Sequence, residues 1–374
     1  MKSPDVIIVG GGLAGSAAAV ALQRNGKHVL LLEKETSPHH KVCGEFISYE
    51  AAYYLKTLGV NLEGLGAKRV EKFLLVRRDK AICVPLPFQA YSLSRFVLDE
   101  ALLKLAEREG AEVRKGALVT RIEKDGSVWR VAWRDGEASA KSLFLATGKH
   151  DIRAWRRPEV PHNDMIGFKI HYILTPEQTQ ELNSQVEIIL LKDGYAGIEL
   201  VENNTVNLSL VVKKSQFESC GKNWDAYLKT IITQSSHLAR RLQGAACDWP
   251  RPLAIYGIPY GYVFKPQPKP MTGLYRLGDQ LAVIPSFSGD GMAIALHSAA
   301  YASASYLEGD SSKYHETMRK GLTFQMRFAT LLMVLMSWPP SQKISFMLCR
   351  LYPGLLGLFA KSTRLKMKLT GDAL

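Results

Sequence analysis

Gly10, Gly12, Gly15 and Glu33 carry the most definite chemistry in this chain, because their spacing is that of a dinucleotide clasp. They lie in DVIIVGGGLAGSAAAVALQRNGKHVLLLEK, residues 5–34. Gly10 permits a tight turn, Gly12 lets the backbone approach a pyrophosphate, and Gly15 lets a helix pack closely on a strand. The N-terminus of the following helix turns its positive dipole end toward the phosphates. Glu33 is placed to accept a hydrogen bond from a ribose 2′-hydroxyl, which favours FAD or NAD over NADP. Ala14 and Lys34 complete this part of the candidate set.

A second Gly-rich segment stands far along the chain, RLGDQLAVIPSFSGDGMAIALHSA at residues 276–299. Asp279 follows an apparent strand end, where a carboxylate can meet ribityl or ribose hydroxyls. Gly289, Gly291 and Met292 open an Ala-rich helix whose free N–H groups can face a polarised ring carbonyl. A simple NAD dehydrogenase has no need of this second helix start, whereas a long flavin nucleotide does. Asp290 reads as a cap for that helix. His150 and Asp151 read as residues that shape a loop.

The two Gly-rich segments, together with Ser94-Arg95 and Asp99 four residues on, resemble the flavoprotein monooxygenase superfamily. Within it, KVCGEFIS at residues 41–48 is similar to the Cys-Gly motif of the geranylgeranyl-reductase-like FAD-dependent oxidoreductases. The similarity covers residues 1–165 and 270–305, with 166–268 matching only in layout. It implies a fold like that of para-hydroxybenzoate hydroxylase, and FAD as cofactor. It places Glu33 on the adenosine ribose, Val119 at the adenine, and Arg95 near the pyrophosphate or ribityl chain. Cys43 and Gly44 fall beside the isoalloxazine ring, Asp279 at the ribityl hydroxyls, and Gly289 to Met292 under the pyrimidine end. Two departures stand out. Ala146-Thr147-Gly148 occupies the place where many aromatic hydroxylases carry Asp-Gly. Gly194-Tyr195-Ala196-Gly197-Ile198 lacks the Trp and Phe-Pro of the prenyl-reductase signature.

The elements that must position these residues follow from patterning. Residues 6–9 and 28–32 form apolar strands around an Ala-rich helix over 16–24, ended by Gly26. Residues 70–84 alternate about the turn at 77–80, and β-branched runs at 166–174, 186–191, 197–201 and 206–212 are separated by turn residues. The expected class is α/β. A Rossmann-type FAD-binding domain (1–70, 92–165 and 270–310) is interleaved with an antiparallel-sheet substrate domain (71–91 and 166–269). A C-terminal helical segment covers 311–374. The second domain would roof a pocket, with Tyr195, Tyr256, Tyr260, Tyr262 and Phe264 available to line it. Pro266 to Pro270 reads as the return linker.

Composition narrows the class. The 374 residues suffice for two sizeable cores, and 47% hydrophobic content is too low for a polytopic membrane protein. Five scattered cysteines show no metal-ligand spacing, and the chain opens directly on a strand, so a reducing cytoplasm is expected. The net charge is +13, of which residues 313–374 hold +8, from ten basic and two acidic side chains. The same tail carries apolar runs at 328–338 and 344–360, each short of the roughly 20 residues that span a bilayer. Such a tail suits either the surface of an anionic membrane or a helical pair packed on the nucleotide domain. Nucleic-acid binding is not expected, since no reading motif or interleaved aromatics accompany the charge.

These expectations converge on an FAD-dependent oxidoreductase with a lipophilic or aromatic substrate. It would act by carbon–carbon double-bond reduction or by flavin-hydroperoxide monooxygenation, with NAD(P)H bound only transiently or another electron donor. A non-redox cyclase of the lycopene-cyclase type is the alternative. Candidate catalytic residues are weakly indicated. Cys43 reads as a packing residue rather than a redox thiol. Glu45 is either a proton donor or an exposed acid after a Gly turn. His171 points either into the pocket or to solvent.

Overall fold

The computed structural model describes residues 3–158, 164–247, 249–266 and 271–366. Gln267 to Pro270 of the linker expected at Pro266–Pro270, and Lys368 and Asp372 of the charged tail, lie outside them.

The opening strand Val6–Val9 is wholly buried, as four consecutive apolar residues require when both faces of a parallel sheet are covered. It lies at the centre of a five-stranded parallel sheet. In spatial order the strands are Leu274–Arg276, Ser142–Leu145, Val6–Val9, Val29–Glu33 and Glu112–Lys115. Helices Leu13–Arg24 and Gly291–Glu308 pack on it, and both Gly-rich turns sit at its carboxyl edge. That edge is where open α/β sheets bind ligands. A three-stranded antiparallel sheet (Val119–Asp125, Val128–Trp133, Gly136–Ala140) lies against the other face.

The second large sheet has eight strands. Their order is Leu253–Tyr256, Met165–Ile173, Thr205–Lys213, Gly194–Leu200, Gln185–Leu191, Lys68–Arg77, Lys80–Ser92 and Phe46–Ile47. It departs from the expected all-antiparallel sheet, because Gln185–Leu191 pairs in parallel with Lys68–Arg77. That pairing joins the early hairpin to the late strands, and Phe46–Ile47 ties the Cys43-Gly44 segment onto the same sheet. Its outer face packs Phe168, Ile198 and Leu210 on Tyr227, Ile231 and Leu238 of two short helices. Its inner face packs Leu75, Leu190, Tyr195 and Val211 on Met333, Phe346 and Leu356 of the C-terminal segment. Burial on both faces explains strands that alternate so little.

The tail forms three helices, Ser311–Ser337, Pro339–Leu351 and Gly354–Ser362. Among the described residues no single helix is long and apolar enough to cross a membrane. The last two pass together on length and composition, but with a 115° bend between them.

Candidate functional site

Two features of the Gly-rich turn explain why glycine is needed there. A Cβ on Gly15 would stand 1.9 Å from the Gly10 carbonyl oxygen, so helix and strand could not approach as they do. Gly10 has φ +107°, and a Cβ there would meet the Ala146 carbonyl oxygen at 2.4 Å. The first turn is thereby pressed onto Ala146 and Thr147. Gly278 (φ +54°) in turn lies against Ala14 and Ala295, bringing the two Gly-rich segments together. Gly12 differs, since its missing side chain faces open space bounded by Lys41 Nζ at 3.6 Å and an Arg95 guanidinium nitrogen at 3.9 Å.

Those two cations are held by one carboxylate. Arg95 pairs with Asp99 through Nε (2.6 Å) and a terminal nitrogen (2.9 Å), and Lys41 reaches Asp99 at 2.6 Å. Burial alone would raise the Asp99 carboxyl, but Arg95 and Lys41 outweigh it and hold the group down to about 2. Asp99 therefore stays ionised and fixes both cations over the loop. Glu33 closes the other end, accepting hydrogen bonds from the Gly11 N–H (2.6 Å) and the Glu35 N–H (2.9 Å). A small cavity of about 30 Å³ lies there, between Gly11, Glu33, His39, Lys41 and Lys115.

The Cys43-Gly44 segment is fastened from below. Asn207 donates to the carbonyls of Cys43 (3.2 Å) and Gly44 (2.8 Å), and Lys149 to that of Val42 (2.9 Å). Glu45 adopts φ +66° and is 0% exposed, which turns its carboxylate inward and corrects the expectation of an exposed acid. It accepts from the Lys169 ammonium, the Arg95 N–H (2.7 Å) and the His171 ring (3.0 Å). Burial would raise Glu45, yet Lys169 and then His171 hold it below the usual carboxylate range. It is a fixed anion and not a proton donor at neutral pH. His171 points neither at the cavity nor at solvent, but at Glu45. His40, Glu45 and His171 bring ligand atoms within 4.8 Å of one another, a grouping their spacing in sequence did not show. The Lys169 ammonium already occupies that carboxylate, so the charge balance opposes a metal cation.

Above this knot opens the main cavity, about 220 Å³. At one end it is lined by Cys43, Gly44, Phe46 and residues 286–289, and at the other by Leu332, Met336, Phe346 and Leu356. Gly289 (φ +69°) allows close contact, since a Cβ there would meet the Phe46 ring at 2.6 Å. Gly291 faces open space, and Met292 is buried beneath it. Of the expected aromatics Tyr195 and Tyr260 line the cavity, with Tyr260 hydrogen-bonded to Ser286 at 2.6 Å. Tyr256 is instead exposed, and Tyr262 and Phe264 lie elsewhere, near the Arg157 and Arg276 guanidinium groups.

Other candidates fall as follows. Asp279 takes no hydrogen bond on its carboxylate from the described residues, which leaves it available to a ligand, while its carbonyl accepts from Arg157 (2.8 Å). Gly148 (φ +61°) is open on its Cβ side. Thr147 donates to the His150 carbonyl, and Asp151 accepts from Arg157 and Gln280, so these residues hold the loop. Val119 packs in a core cluster, and Lys34 pairs with Glu35 at the surface; neither lines either of the two cavities described. Asp290 is not a side-chain helix cap. Its buried carboxylate accepts from Gln325 (2.6 Å) and the Leu365 N–H (2.8 Å), and pairs with Arg364 at 3.0 Å. Burial raises it to about 6 against the pull of Arg364. Arg364, counted in the basic tail, therefore turns inward and anchors the last helix at the cavity.

The clasp, the open face of Gly12 between two cations, and the second Gly-rich turn fit a long dinucleotide running from Glu33 to Gly289. Residues 3–147 match the FAD binding domain family. The protein is an FAD-dependent oxidoreductase whose FAD-binding domain is of the monooxygenase-type superfamily. Menaquinone reductase of Mycobacterium tuberculosis is 26% identical to this flavoprotein over 305 residues, covering 78% of this chain and 73% of that protein. Squalene monooxygenase of Mus musculus is 26% identical over 150 residues, 37% of this chain and 26% of its own length. A flavin-dependent brominase structure superposes with a TM-score of 0.79 at 19% identity, covering 97% and 93% of the two chains, which shows a shared fold. Within the superfamily the flavoprotein resembles the geranylgeranyl-reductase-like branch.

Glu199, Lys169, Asn207 and Arg364 were missed in the sequence. The strand alternation that would place Lys169 and Asn207 inward was legible, but not which loop they would meet.

Proposed function

We propose that this flavoprotein reduces a carbon–carbon double bond in a long, apolar, unsaturated substrate such as a prenyl chain. The carrying observation is the cavity, which runs from Gly44 and Gly289 to the C-terminal helices and is mostly apolar, with Lys149, Glu199, Gln342 and Arg364 among its charged or polar exceptions. The menaquinone reductase relative, which spans most of this chain, supports the reductase reading over monooxygenation. So does the Ala146-Thr147-Gly148 loop, with no Asp-Gly pair. FAD, when bound, supplies the electron pair; the protein's own part is to bind, orient and exclude water. Gly10, Gly12, Gly15, Glu33, Lys41 and Arg95 would hold its adenosine and pyrophosphate. Asp279 and residues 289–292 would take the flavin half.

The test is anaerobic: reduce the holoenzyme chemically, add a prenylated lipid in detergent, and weigh the product. A gain of two hydrogens is expected. Oxygen insertion on admitting air would favour monooxygenation instead, and isomerised product without flavin oxidation would favour the cyclase-like alternative.

The reading extends to how such a substrate arrives. Phe324, Leu331, Ile344, Met347, Leu351 and Leu358 are exposed on the three tail helices and Trp338 at the break between the first two, in the same stretches as Arg327, Lys343, Arg350 and Lys361. The same helices wall the cavity, so a peripheral seat on an anionic membrane would place the cavity beside the lipid. Each Lys or Arg near such a surface contributes about 1 kcal/mol. Cosedimentation with anionic vesicles is expected at low salt and should weaken as salt rises, because screening shortens to about 8 Å at physiological ionic strength. Indifference to anionic vesicles at low salt would remove the membrane seat.

A further inference from the structure

Resting on that reading, we propose that Glu199 is the proton donor of the site, presenting a neutral carboxylic acid to the substrate at the Gly44 end of the cavity. The strand Gly194–Leu200 alternates, so Tyr195, Gly197 and Glu199 share its inner face and all three line the cavity. Gly197 has no side chain, and the hydroxyl of its cross-strand neighbour Ser209 lies 3.1 Å from where a Gly197 Cβ would stand, so the cavity wall beside Glu199 is built of small groups. Ser209 also approaches Gly44, since a Cβ on that glycine would stand 3.8 Å from its hydroxyl. Gly197 and Ser209 therefore connect Glu199 along the cavity wall to the motif expected beside the flavin.

Glu199 is 2% exposed, and its Oε2 has no hydrogen-bond partner. Its register partners Val186 and Asn207 carry no charge. Asn207 spends its amide N–H on Cys43 and Gly44 and leaves its own Oδ1 unpaired. Other buried acids nearby are treated differently. Glu45 has three donors, and Glu187, on the opposite face of the adjacent strand, is bound by His237, Arg241 and Gln185. A buried carboxylate without donors is costly, whereas a neutral acid is tolerated and can give up its proton. The titratable groups facing Glu199 are Glu45 and Cys43 from the Cys-Gly segment and Lys169 from the Met165–Ile173 strand. Burial first, then the Glu45 and Cys43 charges, push its carboxyl well above the ordinary range, with Lys169 opposing them.

Reducing a double bond adds two electrons and two protons. Reduced FAD, when bound, would supply the electron pair with one hydrogen. The Glu199 O–H bond breaks, its proton goes to the neighbouring carbon, and water reprotonates the carboxylate before the next turnover.

The wild-type holoenzyme can be tested without any substrate. Infrared titration from about pH 5 to about pH 9 should show the carbonyl band of a buried neutral acid, absent from Glu199→Gln. Stability gives a second reading. With the folded value raised, the native state binds the extra proton, so wild-type stability falls as pH rises from the ordinary 4.5 toward that folded value. Glu199→Gln should lose this slope and gain on the wild type at alkaline pH. In turnover it should lower kcat by about 10²–10⁴-fold with little change in KM, and Glu199→Asp should recover part of the loss. Parallel stability profiles, or unchanged turnover of Glu199→Gln in an active wild type, would overturn the donor role alone. Absence of double-bond reduction in the wild type would overturn the functional reading beneath it.

Discussion

Gly12→Asp is expected to yield a folded but colourless protein that retains no FAD and cannot be reconstituted with it. The argument combines sterics with charge. A Cβ on Gly12 meets nothing closer than Lys41 at 3.6 Å, so the substitution does not crowd the fold. Its carboxylate would instead extend between Lys41 and Arg95, the donor pair left facing the open side of the loop. It would satisfy those cations in the apoprotein, and would displace and repel the pyrophosphate. Loss of FAD should therefore come with an unchanged or raised melting temperature of the apoprotein. Gly15→Ala makes the contrast, because its Cβ would fall 1.9 Å from a backbone oxygen and must damage the fold itself. Absorbance of the purified protein, extraction of released flavin and thermal melts of both apoproteins check this. Full retention of FAD by a folded Gly12→Asp would show that the pyrophosphate does not pass between Lys41 and Arg95.

The difference between those two glycines also shows what could be read in the sequence. Gly10, Gly12, Gly15 and Glu33 act within one strand–turn–helix–strand unit, so spacing alone conveyed their geometry. The strands at 165–173, 185–191, 194–200 and 205–213 were legible for a similar reason, as β-branched runs cut by turns. The parallel pairing of Gln185–Leu191 with Lys68–Arg77 was not, because more than a hundred residues separate the partners and no local signal records register. Neither was the fate of Glu45. Its neighbours in sequence suggest an exposed turn, and only the meeting of three distant segments supplies Lys169, His171 and Arg95 around it. Asp290 and Arg364 misled in the same way, one resembling a helix cap and the other a surface charge. Ionisable residues that are buried in pairs are the ones whose local context says least about their surroundings.

Removing the Glu45 carboxylate should destabilise the protein by about 3–5 kcal/mol, the range for breaking a buried ion pair by deleting one partner. Lys169 and Glu45 are both 0% exposed, so in Glu45→Ala the ammonium would be left in the interior without the carboxylate it is bonded to. The first N–H of the Arg95–Arg108 helix would lose its acceptor in the same step. The φ of +66° at this position would survive as strain without the contacts that now hold it. The effect has a defined pH dependence. Because the folded value of Glu45 lies below the ordinary 4.5, its contribution is complete above that pH and is lost as pH falls through the folded value. The gap between wild type and Glu45→Ala should thus be full at neutral pH and close in acid. A double variant, Glu45→Leu with Lys169→Met, removes both charges and should recover much of the loss, since a well-packed apolar pair can replace a buried ion pair. Denaturant unfolding of the three proteins at neutral and acid pH supplies the comparison. A Glu45→Ala variant as stable as the wild type at neutral pH would mean that the Glu45–Lys169 contact does not hold the knot beneath Cys43-Gly44 together.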